Sequence, residues 1–256
     1  STDNTDEVIT PILTEFIRYE KIKNSERGFA RNYGARLAKG DYVNFFDSDD
    51  IALPNHLEEA SKAIELLHEP EVFHLNYVWV RPDLTITQEA RRFNATANDE
   101  LIFGNTLSCN GVFIRRDIIL KFPFNESRDL SASEDWDLWL KLASRFRMHT
   151  LPTVTSYIVN HDERSVNIFN EKKIQQRADA LVNSLSNDKV FAEKYPDGTN
   201  KIKAHMNSYL ALHAATKGYK LKPVRYLFRS LKSNIGELFT RRTLAIIKHL
   251  FITYSA

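Results

Sequence analysis

The chain has 256 residues, 43% of them hydrophobic and 27% charged, with a formal net charge of +2. That balance is ordinary for a soluble globular protein and holds no low-complexity tract, and no run approaches the ~18 apolar residues that a membrane-spanning helix needs. The single cysteine, Cys109, rules out an internal disulfide framework and fits a reducing compartment, where a lone thiol is mostly a packing residue. The charge is uneven. Residues 201–256 hold eleven Lys/Arg against one acid, Glu237, a formal +10; the other 200 residues hold 24 bases and 32 acids, a formal −8.

The opening "STDNTDEVI" runs from turn and cap residues into an apolar periodicity (Val8, Ile9, Ile12, Leu13, Phe16), which predicts a helix over residues 5–18. "YEKIKNS" predicts a short strand and loop. "RGFARNYGARLAKG" predicts a helix, with Ala30, Tyr33, Gly34, Leu37 and Ala38 on one face and Gly40 as its C-cap. "DYVNFFDS" predicts a strand buried on both faces, and "PNHLEEASKAIELLHE" a helix with Pro54 near its first turn. "VFHLNYVWV" predicts a strand and residues 81–100 a polar connection. "GVFIRR" predicts a short strand and "DIILKF" a helical turn. "SEDWDLWLKLASRF" predicts an amphipathic helix with acids in its first turn, which suits the helix dipole. "MHTLPTVTSYIVN" predicts a strand pair or one bent strand, and everything after Asn170 predicts helices. Strands alternating with helices up to about residue 125 predict an α/β sheet covered by helices, with ligands at the carboxyl ends of its strands.

Asp47, Asp49 and Asp50 crowd such a strand end. Their mutual repulsion needs an offsetting cation or hydrogen bonds. A hard divalent ion, Mg²⁺ or Mn²⁺, takes one or two carboxylates and completes its shell with phosphate oxygens and water. An acidic turn capping the helix near Pro54 is the other reading. An EF-hand is excluded, because with Asp47 at loop position 1 the required glycine is Ala52 and Pro54 interrupts the loop.

The stretch "RGFARNYGARLAKGDYVNFFDSDDIALPNHL", residues 27–57, resembles the nucleotide-sugar core of family-2 glycosyltransferases, with about a dozen positions in order. The resemblance implies a GT-A type (Rossmann-like) mixed sheet flanked by helices with a C-terminal helical extension. It places a glycosyltransferase domain at 1–170 and a basic helical region at 171–256. It also implies site roles. Asp49 matches the carboxylate that coordinates metal and diphosphate, with His161 completing the metal shell, and Asp47 faces the ribose or the metal. Arg27 and Arg31 contact the nucleotide, and Gly111 lets the backbone approach the donor sugar. Asp135 matches the general base of inverting members and Glu134 orients the acceptor. The implied cofactor is Mn²⁺ or Mg²⁺, and the implied partners are a nucleotide-diphospho sugar and a saccharide or lipid-linked saccharide acceptor.

The Q-x-x-R-W signature of processive members is absent, so one sugar per encounter is expected. "STDNT" resembles the tail of the family's D-D-G-S-T-D-N-T segment, which predicts that a first strand–helix–strand unit is missing and that the chain as given binds nucleotide poorly. A catalytically incomplete binding module or a membrane-surface scaffold of the same fold stays as the alternative. The basic stretches "KPVRYLFRSLKSNIGELF" and "RRTLAIIKHLFITY" suit an anionic membrane surface; the other reading is an apolar stripe packed on the α/β core with its bases solvated, and no nucleic-acid motif accompanies them. Together with these stretches, the resemblance implies a cytoplasmic enzyme of bacterial surface polysaccharide or glycoconjugate synthesis, peripheral at the inner face of the membrane.

Overall fold

The computed structural model describes residues 4–161 and 170–251. Residues 1–3 of the opening, the 162–169 segment before the expected domain boundary and the last five residues of the basic region lie outside the described residues.

A short helix, α1 (Thr5–Ile9), passes into a 3-10 turn at Thr10–Ile12. The expected helix over 5–18 stops there: Pro11 has no amide hydrogen to donate within a helix. Its apolar side chains are not buried, and Phe16 is 89% exposed. Residues 19–25 form no strand. They are a polar connection with two lysines, Lys21 and Lys23, mostly exposed.

Helix α2 (Arg27–Leu37) follows as expected, but it ends through a bond from the Ala38 amide to Gly34 O, with Ala38 extended, so Gly40 is not its cap. The buried face of α2 is Gly28, Asn32 and Ala35. Asn32 acts as a strand-like clamp: its amide donates to Phe124 O at 2.9 Å and its carbonyl accepts from the Phe124 amide at 2.9 Å. A Cβ on Gly28 would lie 2.6 Å from Asn125 O, so glycine there sets how closely α2 approaches this segment.

The sheet is built from β1 (Tyr42–Asn44), β2 (Ile51–Ala52), β3 (Val72–Val80), β4 (Ile86–Gln88), β5 (Val112–Arg115) and β6 (Met148–Val159), with α3 (His56–Leu66) and α4 (Arg116–Lys121) between strands. Its order is β1-β5-β3-β6-β2, with β4 pairing the end of β3. β3 and β6 are parallel and the other pairs antiparallel. β1, β3 and β6 therefore point the same way; the carboxyl end of β1 lies beside the start of β5, while β3 and β6 run on past it and end paired, Val80 against Val159. β6 is one bent strand, with register shifts against β3 around Asn76. β1 is shorter than the apolar run predicts. After Asn44 the side chain takes over from the backbone, donating to Asn110 O and Val112 O at 2.8 and 2.9 Å, while Phe45 turns into the core against Phe124.

Helix α5 (Glu134–Ala143) runs through the core, with residues 136–140 all buried and Trp136 Nε1 donating to Leu101 O. Beyond residue 170 lie α6 (Glu171–Ser186), α7 (Lys189–Lys194), α8 (Gly198–Thr216), α9 (Leu221–Ser233) and α10 (Arg241–Phe251). The main apolar cluster is continuous from Ala35 on α2 through Trp139 on α5 to Leu181, Leu210 and Ile246. The C-terminal helices thus share the core of the sheet layer.

Candidate active site

The site lies between the connection that leaves β1, the segment that opens β5, the carboxyl end of β6 and the first turn of α5. Asp47, Asp49 and Asp50 come from the β1–β2 connection, and an oxygen from each falls within 4.8 Å of the others. Two of these acids are held by the segment that opens β5. The Asp47 amide donates to Asn110 Oδ1 at 2.9 Å, and Asp50 Oδ2 accepts from Asn110 Nδ2 at 2.7 Å. Asp50 Oδ1 accepts from the Val159 amide at the end of β6 at 2.9 Å. Asp49, the most exposed of the three, has Oδ2 3.1 Å from His161 Nε2, just beyond β6. Carboxylate oxygens with one imidazole nitrogen form a donor set that suits Mg²⁺ or, with the nitrogen, Mn²⁺.

Arg31 joins this cluster to α5. One terminal nitrogen donates to Asp47 Oδ1 at 2.9 Å and the other to Glu134 Oε1 at 2.8 Å. The guanidinium is largely buried and lies over the Phe124 ring, 5.4 Å from its centre. Glu134 is 4% exposed, and its Oε2 has no hydrogen-bond partner among the described residues. The chain reaches it through Ala132 in the left-handed region (φ 65°), which turns the backbone sharply into α5. Asp135 Oδ2 accepts from Asn105 Nδ2 at 3.0 Å and Oδ1 from the Trp136 amide at 2.7 Å. Burial, and then the adjacent Glu134 carboxylate, push Asp135 above the usual carboxylate range.

The structure brings Asp47, Arg31 and Glu134 into one ion-paired chain, sets Asp135 beside it and pairs Asp49 with His161. Arg27 stands exposed at the first residue of α2, a helical turn from Arg31. Gly111 has a packing reason to be glycine: a Cβ there would sit 2.2 Å from Leu75 O and 2.8 Å from the His74 ring. Cys109 is buried, and burial pushes its thiol well up, as befits a packing residue.

Four supporting residues escaped the sequence reading. Asn44 and Asn110 tie β1 to β5, His56 spans Asn44 Oδ1 (3.3 Å) and Thr155 Oγ1 (2.9 Å), and Asn105 holds Asp135. Burial lowers the His56 pKa, which favours the neutral ring in that bridge. Asn44 did carry a signal, as the one polar residue inside the apolar run "YVNFF".

Residues 1–118 match the family model described as Glycosyl transferase family 2. An uncharacterized glycosyltransferase of Methanocaldococcus jannaschii, MJ1057, is 26% identical over 129 residues, 49% of this chain and 43% of that protein. The uncharacterized glycosyltransferase YwdF of Bacillus subtilis is 26% identical over 136 residues, 51% of this chain and 49% of that protein. The chain spans about half the length of the curated relatives it matches. Among solved structures, S. aureus TarS 1–349 superposes with a TM-score of 0.59 at 17% identity, covering 96% of this chain and 71% of that one. The fold is of GT-A type, a mixed sheet flanked by helices with a helical C-terminal region, and the family-2 resemblance drawn from residues 27–57 stands.

Proposed function

We propose that this chain, with a GT-A fold and a family-2 glycosyl transferase match over its first 118 residues, transfers one sugar per encounter from a nucleotide-diphospho donor to an acceptor hydroxyl, with inversion at C1. Residues 1–170 carry the chemistry. The observation that supports this most directly is Arg31, whose two terminal nitrogens bind an acid of the strand-end cluster and an acid of the α5 first turn. One guanidinium spans the gap, so a diphosphate at the first group and an alcohol at the second would lie side by side.

In this reading Asp135 removes the proton of the acceptor hydroxyl. The oxygen attacks C1 of the donor sugar, the bond from C1 to the diphosphate oxygen breaks, and its electron pair leaves with the nucleoside diphosphate. The raised pKa of Asp135 makes it a stronger base than a free carboxylate. Glu134 orients the acceptor and is itself held by Arg31. Asp49 and His161, with Asp47 beside them, would hold Mn²⁺ or Mg²⁺, and the bound ion would supply positive charge to offset that of the leaving diphosphate. Arg27 and Arg31 face the nucleotide, and the segment at Gly111 borders the donor sugar. Sugars of hexosyl or N-acetylhexosaminyl type and a saccharide acceptor, free or lipid-linked, fit a role in surface polysaccharide or glycoconjugate synthesis.

The test is nucleoside diphosphate release from a panel of UDP-, GDP- and TDP-sugars with Mn²⁺ and saccharide acceptors, alongside calorimetric donor binding. Metal-dependent release that needs the acceptor is expected. Donor binding with no release on any acceptor would leave a binding module in place of an enzyme.

A further inference from the structure

The basic C-terminal region divides in two. Helix α8 is largely buried, with Ile202, Met206 and Leu210 in the main cluster. Helices α9 and α10 each rest on it by one side only. The buried face of α9 is Pro223, Tyr226 and Ser230, with Ser230 Oγ donating to Ala204 O; that of α10 includes Thr243 and Ile246. Burying these faces leaves each helix with a second apolar stripe pointing outward.

On α9 that stripe is Leu221, Val224 and Phe228, exposed by 86, 53 and 69%. On α10 it is Leu244, Ile247 and Phe251, exposed by 64, 38 and 83%. Both follow the spacing i, i+3, i+7, which lines residues along one side of a helix. The 3-10 turn between the helices adds Ile235 and Phe239, and Lys220 Nζ donates to Leu250 O, which brings the start of α9 to the end of α10. Exposed bases flank the stripes: Arg225, Arg229 and Lys232 on α9, Arg241 and Lys248 on α10. Residues 220–251 hold eight bases and one acid, Glu237, which is buried.

We infer that α9, the 3-10 turn and α10 form a docking face for an anionic lipid surface, lying in the headgroup plane with Phe228, Phe239 and Phe251 inserted. Two exposed apolar stripes edged by bases match the charge and the polarity gradient of such a surface. A phosphate backbone would meet the bases and leave the apolar stripes in water. A second copy of this face would set one block of like charge against another. No described helix is long and apolar enough to cross a membrane, so the contact is one of lying on the surface.

The experiment is co-sedimentation of the whole chain with vesicles of phosphatidylcholine alone or mixed with phosphatidylglycerol. Binding only to the anionic vesicles is expected, falling about tenfold or more between about 50 and 500 mM salt. Phe228→Ser with Phe239→Ser, and separately Arg225→Glu with Lys232→Glu, should each cut binding about tenfold without moving the melting temperature. A pair that lowers the melting temperature is replaced by Phe251→Ser with Lys248→Glu. Equal pelleting with neutral and anionic vesicles, or unchanged binding by the folded variants, overturns the proposal. So does a lipid-free dimer that the aromatic variants return to monomer, or binding only to an acidic protein.

Discussion

Arg31 and Glu134 stand 103 positions apart in the chain, yet a terminal guanidinium nitrogen of the first donates to the second at 2.8 Å. The pair is nearly closed to water, with the two side chains 12 and 5% exposed. Removing one partner of such a pair strands the other charge. Arg31→Ala should lower stability by about 3–5 kcal/mol in urea titrations, whereas Arg31→Lys, lacking the two-pronged fork, should recover only part of it.

Asp135→Asn keeps the shape of the acid and its contact with the Trp136 amide, but cannot accept a proton. Nucleoside diphosphate release should fall by about 10²–10⁴-fold, with the donor dissociation constant unchanged by calorimetry. Near-normal turnover in Asp135→Asn would move the base elsewhere.

Asp49→Ala should remove Mn²⁺-dependent donor binding, weakening it about 100-fold or more, since loss of supporting residues alone often costs about 10–100-fold in metal affinity. His161→Ala should raise the Mn²⁺ concentration needed for half-maximal release about tenfold. An Asp49→Ala protein that still binds donor with full Mn²⁺ dependence would place the ion on other ligands.

The rate should carry an acid limb. Asp135 works as a base only when ionised, and burial and Glu134 hold its pKa above the ordinary carboxylate value. Activity is therefore complete above that raised value and is lost as pH falls through it, at a higher pH than a free aspartate would give. Glu134→Gln removes one of the two raising causes, so the limb should move to lower pH in kcat/KM profiles.

Gly111→Ala separates packing from ligand approach. The new methyl would meet Leu75 O at 2.2 Å, a backbone atom of the central strand. Stability should drop by about 1–3 kcal/mol or more in urea titrations even with no ligand present. An alanine protein that keeps its stability and loses only donor binding would assign the glycine to the ligand.

The strand-end acids, the α5 first turn and most helices were legible because their signals are local: a charge knot after an apolar run, caps and 3.6-residue periodicity. The network beneath them was not. Asn110 takes its meaning from Asp47, Asp50 and Asn44, which arrive from elsewhere in the chain. Arg31 read as one of two helix arginines on the same face; it and not Arg27 bridges the acids because it stands next to Asn32, whose clamp on Phe124 fixes that turn of α2, whereas Arg27 lies one turn earlier along the axis. The expected strand at 19–25 failed for a related reason: a run is a strand only if a neighbour pairs with it.

The loop bearing Asp49 is tethered on both flanks, by the Asp47 amide to Asn110 and by the two Asp50 oxygens to Asn110 and the Val159 amide. A loop anchored in this way has surrendered its conformational freedom during folding, so an arriving ligand need not freeze it again. Pre-organisation of this kind shifts the work of selectivity from adapting the backbone to matching a fixed template. Ligands of the wrong size should then be rejected by misfit instead of being accommodated by rearrangement.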